Sequence, residues 1–411
     1  MSKILYINNR YRHYDTVKYR VLGRRFDLAV LWINPFPSHE LPPTNLLDAM
    51  HWEILDRECV SKLQPWHLVR SLRLLRRTMA LSRKVDLVLS STSDSWKSKI
   101  AFLAARLVNV PIAFRKERWL DRESPPRRLS RPYWAVDQHL TDFIERRAAG
   151  MMVGGCKARE YLLARGLPEK DIHPFSYLHE DLSTCPPDAK LLASLEDFVG
   201  DSVTFLYLGR IMPQKGLDVL IRAMQQLFAQ GRNVKLMIVG APIESDTGRG
   251  RASVSYYEEC RRLAGDAARI RFCNSVPPTT VHNYYRATHV FVHPHVLRVD
   301  GGEKHDGWGN VITEAASMSM PIIASDRVGS AFDIVIDGVS GFLLQAARLE
   351  EDLLEALDFC ANYPDKLAEF GREARKRYET TVDADLTVAS LERLMARSAA
   401  EKSIVRATRD E

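Results

Sequence analysis

Short, almost wholly apolar runs recur along the chain: Ile4-Leu5-Tyr6-Ile7, Leu28 to Ile33, Val85 to Ser90, Val110 to Phe114, Val203 to Leu208 and Val234 to Val239. A strand with no polar face has no side to give to water. Such runs fit the interior of a parallel sheet covered by helices on both faces. Helix-length segments stand between them, so the chain reads as α/β. At 411 residues, 45% of them apolar, there is too much chain for one ordinary core, and two α/β domains are expected. We place them at residues 1–180 and 201–378, joined by a connection over 181–200 that contains Pro186-Pro187. Beyond them, residues 379–411 read as a helix over Leu386 to Arg397 and a polar tail that should fray.

The opening MSKILYINNR runs straight into the first strand and lacks the apolar core of a signal peptide. No segment approaches the roughly 18 apolar residues of a membrane span. A soluble, cytoplasmic location is therefore expected. The six cysteines form no C-x-x-C pair, which argues against zinc and a disulfide framework. Charge is uneven: residues 1–180 carry 31 basic against 19 acidic side chains, residues 181–411 carry 27 against 33. The first half should face something anionic. It shows no aromatic-basic interleaving of a nucleic-acid module, so no nucleic acid is expected.

The clearest amphipathic segment is 66–84, where Leu68, Leu72, Leu75 and Met79 share a face and six basic residues stand with no acid among them. It suits an ordinary surface helix. It also suits peripheral contact with the inner face of an anionic membrane.

Most of the chemistry is concentrated in residues 306–344. Asp306 and Glu314 flank Gly307-Trp308-Gly309, and Asn310 reads as the cap of a helix that carries Val311, Ile312, Ala315 and Ala316 toward Pro321. Amides at Asn310, Val311 and Ile312 would favour an anion such as a diphosphate. Glu314, about one turn in, suits the two hydroxyls of a ribose. Asp306 would reach a sugar beyond the phosphates. Upstream, Arg210 offers a planar fork and Lys215 a compact ammonium, both suited to phosphate.

Asp306-x7-Glu314 with Gly-Trp-Gly inside it, then Pro321 to Asp326 and Asp337-Gly-Val-Ser-Gly-Phe342, resembles the donor-site signature of the retaining glycosyltransferase family 4. Gly209-Arg210 to Lys215-Gly216 resembles the same family's phosphate-binding segment. The resemblance implies a GT-B fold, with two Rossmann-like domains whose parallel sheets face across a cleft and a C-terminal helix that crosses back to the first. It implies a retaining, metal-independent transferase of hexosyl or related groups, acting in glycan, polysaccharide or glycolipid synthesis. A nucleotide-diphosphate sugar, UDP-linked first and GDP-linked second, would be its donor, and no resident cofactor is implied. Asn274 and Val276 would form the nucleobase platform; Gly309, Asn310, Val311 and Glu314 would complete the donor site; Arg210, Lys215 and Asp306 would carry the chemistry.

The first domain departs from the family pattern. The loop after the first strand carries Arg10 and Arg12 in place of glycines, and Arg115-Lys116 stands where relatives place a His-Asp pair. These four residues are the candidate contacts for an anionic or lipid-linked glycan acceptor. The His293, His295 and His305 group, with Asp300 and Glu303, fits no zinc spacing, and no metal is expected. Residues 295–305 read as a lid or acceptor-contact loop. Two other readings stay open: a GT-B relative doing other chemistry, such as an epimerase or phosphorylase, and a non-catalytic sugar-nucleotide-binding protein.

Overall fold

The structure is a computed structural model that describes residues 1–9, 11–34, 42–55, 67–120, 131–243, 248–265, 268–299, 302–303 and 305–410. The chain divides into two compact units, one of Met1–His179 with Val382–Glu411, the other of Glu180–Thr381.

The first unit runs β1 (Lys3–Asn8), α1 (Asp15–Arg25), β2 (Asp27–Trp32), α2 (Thr44–Asp48), β3 (His51–Ile54), α3 (Leu68–Ser82), β4 (Leu87–Ser90), α4 (Trp96–Leu107), β5 (Ile112–Lys116), α5 (Arg131–Arg147), β6 (Gly150–Val153), α6 (Cys156–Ala164) and β7 (Ile172–Pro174). All its strands are parallel, in the order β3-β2-β1-β4-β5-β6-β7. Alternate residues of each strand feed opposite faces. Leu5, Ile7, Val88 and Phe114 pack under α3, α4, α5 and α6, while Tyr6, Val30 and Trp32 pack under α1 and α2.

The second unit contains α7 (Ala189–Val199), β8 (Val203–Leu208), α8 (Leu217–Ala229), β9 (Val234–Val239), α9 (Gly248–Ala264), β10 (Ile270–Phe272), α10 (Val281–Ala287), β11 (Val290–His293), the ribbon β12 (Arg298–Val299) and β13 (Gly302–Glu303), α11 (Asn310–Ser317), β14 (Ile322–Ser325), α12 (Gly329–Ile334), β15 (Gly341–Leu344), α13 (Leu349–Asn362) and α14 (Pro364–Thr381). Its six-stranded parallel sheet has the order β10-β9-β8-β11-β14-β15. The last helix, α15 (Ala384–Asp410), places Val388, Leu391 and Leu394 in the core of the first unit.

Three local readings change. Residues 181–200 are not a bare connection: Asp188 accepts from the amides of Lys190 and Leu191 at 3.1 and 3.0 Å and starts α7, which belongs to the second unit. The polar tail continues α15 as helix to Asp410. On α3 the buried side chains are Leu74, Thr78, Leu81 and Ser82, whereas Leu68 and Leu72 are exposed; packing against α4 decides which side of the helix turns inward.

Candidate active site at the C-terminal edge of the second sheet

The order of the second sheet reverses between β8 and β11, so the loops that leave these neighbouring strands diverge and open a crevice at their C-terminal ends. The loop after β8 carries Arg210 and Lys215. Its turn closes at Gly216 with φ +66, and a Cβ there would stand 2.0 Å from the Pro294 carbonyl oxygen. Glycine is therefore required for the two loops to touch.

That closure buries Lys215 to 8% exposure. Its ammonium donates to Asp306 Oδ2 at 2.6 Å and lies 3.4 Å from His293 Nε2. An ammonium can only donate, so Nε2 accepts and the ring proton sits on Nδ1, a buried atom with no hydrogen-bond partner. Burial alone would raise the Asp306 carboxyl. Lys215 outweighs it, by charge and by hydrogen bond, and holds Asp306 well below the usual carboxylate range. Burial, then Lys215, pushes both imidazoles down, His295 to about 3. The cluster is thus an ammonium and a carboxylate bounded by neutral rings.

Asp306 is fixed by its backbone, whose amide donates to Arg327 O at 2.8 Å and whose carbonyl accepts from Gly329 at 3.0 Å. The following turn is tied to the same segment, since Ser330 N donates to Trp308 O and Ser330 Oγ to Gly309 O. Trp308 Nε1 donates to Thr313 Oγ1 at 3.0 Å, fastening the ring to the first turns of α11. The N-cap is Gly309 rather than Asn310, with φ +86 and no side-chain cap. A Cβ at Gly309 would meet Val328 Cγ1 at 2.3 Å. The Ile312 amide bonds back to Gly309 O, so among the described residues the Asn310 and Val311 amides are the ones left for a ligand.

One turn further, Glu314 is half-buried and receives a hydrogen bond from Tyr285 Oη at 2.9 Å. Tyr285, fully buried on α10, also lies 3.3 Å from Val311 O. Burial raises the Glu314 carboxyl, and the Tyr285 hydroxyl opposes that rise. Tyr285 and the inward histidines join the site only through the fold. The only available signal was the strand-ending His293-Pro294-His295.

The structure brings Lys215, Asp306, Gly309, Asn310, Val311 and Glu314 onto this edge. Arg210 is exposed, its carbonyl accepting from Tyr207 Oη at 3.1 Å. Asn274 is exposed at φ +54, and its carbonyl accepts from Gly240 N at 2.7 Å; Val276 is half-buried. No hydrogen bond or ion pair among the described residues ties these three side chains to the Lys215–Asp306 pair.

The acceptor candidates fare differently. Arg10 lies outside the described residues, as do Asp300, Gly301 and Lys304 of the expected lid. Arg12 is half-buried, and its amide donates to Asp15 Oδ2 at 3.2 Å. Lys116 is spent internally, on Asp94 at 2.9 Å and Glu145 at 2.7 Å. Arg115 is buried with its guanidinium 4.9 and 5.0 Å from the Phe175 and Tyr177 rings, and it pairs with Glu117 at 3.2 Å. Both side chains point into packing because β5 is covered on both faces.

The whole chain has the GT-B fold: it superposes on Anabaena Alr3699/HepE in complex with UDP with a TM-score of 0.73 at 16% identity, covering 96% of this chain and 100% of that one. Sucrose-phosphate synthase of Thermosynechococcus elongatus gives 0.71 at 18%, covering 97% and 100%. Residues 196–377 match the family model of glycosyl transferases group 1. Among curated relatives, D-inositol 3-phosphate glycosyltransferase 2 of Catenulispora acidiphila is 32% identical over 174 residues, 42% of this chain and 38% of the relative. GDP-mannose-dependent alpha-(1-6)-phosphatidylinositol monomannoside mannosyltransferase of Mycolicibacterium smegmatis is 28% identical over 192 residues, 46% of each. The chain spans less than half the length of these relatives.

Proposed function

We propose that the protein is a retaining glycosyltransferase of family 4 that moves a sugar from a nucleotide-diphosphate sugar to an acceptor hydroxyl in glycan, polysaccharide or glycolipid synthesis. The observation that carries this reading is the buried Lys215–Asp306 pair beside the two amides that open α11. An incoming diphosphate would compete with Asp306 for the Lys215 ammonium and rest on the Asn310 and Val311 amides, with Arg210 closing from the surface. Released from Lys215, the Asp306 carboxylate would hold sugar hydroxyls, and Glu314 the ribose. Negative charge that builds on the leaving diphosphate is then met by fixed positive groups, which is where such a site gains rate. These chain-borne cations perform the neutralisation a metal performs elsewhere, and metal independence is part of the proposal.

A UDP-sugar is the first choice of donor and a GDP-sugar the second. The relatives' names and the UDP-bound structural neighbour support a nucleotide sugar as a class. The basic balance of residues 1–180 favours an anionic or lipid-linked glycan acceptor, with half-buried Arg12 the described candidate. The test is a thermal-shift screen against UDP, GDP, ADP and dTDP and their sugar conjugates. A nucleotide at about 100 times its dissociation constant stabilises by about 2.7 kcal/mol. A shift with one base, lost in Lys215→Ala, is expected. Full transfer activity in both Lys215→Ala and Glu314→Ala would remove the assignment.

A further inference from the structure

Helices α3, α4 and α5 lie side by side over one face of the first sheet, with inward residues in a common core. Their outward sides are unusual. Leu68, Val69 and Leu72 on α3, Leu103 and Leu107 on α4, and Val136 and Phe143 on α5 are 43 to 72% exposed. Every exposed side chain on α3 and α4 is either apolar or basic. Val69 and Leu72 form a shallow groove with Arg73, Arg76, Arg77 and Ala80, and the Arg147 guanidinium covers the Phe143 ring at 4.5 Å.

The charge is one-sided as well. No acid occurs on α3 or α4. The three on α5 are each held by a cation: Asp137 by Lys99 at 2.8 Å, Glu145 by Lys116 at 2.7 Å, and Asp142 by Arg165. Arg77 of the groove pairs with Glu53 on β3, and the other exposed charges on α3 and α4, Arg73, Arg76 and Arg106, are all basic, so the face offers positive charge and aliphatic surface with almost no neutral polar group to specify a partner by hydrogen bonds. Among the described residues no helix is long and apolar enough to cross a membrane.

We propose that the outward side of α3, α4 and α5 docks on an anionic lipid bilayer, its arginines at the headgroup phosphates and its aliphatic side chains at the acyl boundary. A bilayer satisfies both properties at once and needs no patterned hydrogen bonding. An acidic protein would leave the exposed leucines without a matched surface. The proposal is independent of the donor site.

The test is flotation of the full chain with vesicles of phosphatidylcholine alone and with vesicles that also contain phosphatidylglycerol. The protein is expected to float only with the anionic vesicles and to be released by salt. Each arginine near the surface is worth about fivefold in partition, so Arg73→Gln with Arg76→Gln should lower it about 25-fold. Val69→Ser with Leu72→Ser should lower it about tenfold. All four positions are outward, so the melting temperature should hold in both variants. Failure of the wild-type chain to float with anionic vesicles, or flotation as strong as wild type by a variant that combines all four substitutions, would overturn the proposal. So would retention on a soluble polyanion without vesicle binding, which would assign the face to an acidic macromolecule.

Discussion

Glu314 and Tyr285 show what a single hydrogen bond can decide. One carboxylate oxygen of Glu314 is held at 2.9 Å by Tyr285, which leaves the other to meet a ligand in a fixed direction. Tyr285→Phe keeps the buried ring and removes only the hydroxyl. A hydrogen bond to a charged group is worth about 1.5–3 kcal/mol, so nucleotide affinity should fall roughly tenfold or more. Preference for ribo- over 2′-deoxyribonucleotide should shrink in parallel, measured by titration calorimetry. Asp94 supplies a pH prediction. Burial raises its carboxyl, but Lys116 and Arg118 outweigh that and hold it well below its usual range. A carboxyl depressed on folding contributes stability that is complete above its unfolded value near about 4 and lost as pH falls below it. The melting temperature of the first unit should drop on acidification, and the drop should be shallower in Asp94→Asn.

At the scale of elements, two short loops and one helix start carry the site. Helix α11 opens without a side-chain cap because Gly309 sits at φ +86 against Val328. Gly309→Ala forces a side chain into a left-handed conformation and onto the Val328 methyl, and should cost at least about 1–3 kcal/mol. Nucleotide binding should weaken as well, since the Asn310 and Val311 amides move with the turn; a thermal melt with and without nucleotide checks both. The loop from β4 to α4 is held differently, by the buried Lys116 with Asp94 and Glu145. Lys116→Met takes the ammonium away from buried Glu145 and leaves Asp94 facing Arg118 at 3.4 Å, and should cost about 3–5 kcal/mol, read by urea denaturation. That loss would come from folding rather than from acceptor contact.

Over the whole molecule, the two units fold from different parts of the chain. The first is completed only by α15, which adds Val388, Leu391 and Leu394 to its core; Arg397 pairs there with Asp171 at 2.9 Å. The second is closed within itself: Arg375 on α14 makes two hydrogen bonds to Asp181, at 2.8 and 2.7 Å, and one to Ser317 O at the end of α11. Ending the chain at Thr381 should therefore lower the first unit's thermal transition sharply and leave the second's near its original temperature. Nucleotide should raise only the transition that persists. Differential scanning calorimetry of both lengths distinguishes the two.

The sequence by itself determined the class of the fold and the site's residue types. Apolar runs such as Ile4 to Ile7 and Val203 to Leu208 cannot be strands in anything but a sheet buried on both sides, and Asp306 to Glu314 declares its turn and helix locally. What only the tertiary structure decided depends on residues far apart in the chain. Lys215 meets Asp306 across 91 positions, Tyr285 meets Glu314 across 29, and Lys116 is claimed by Asp94 and Glu145 instead of a ligand. Periodicity shows that α3 has two faces, but not which one its neighbours will cover. Burial and pairing are properties of the packed chain, so no local pattern announces them.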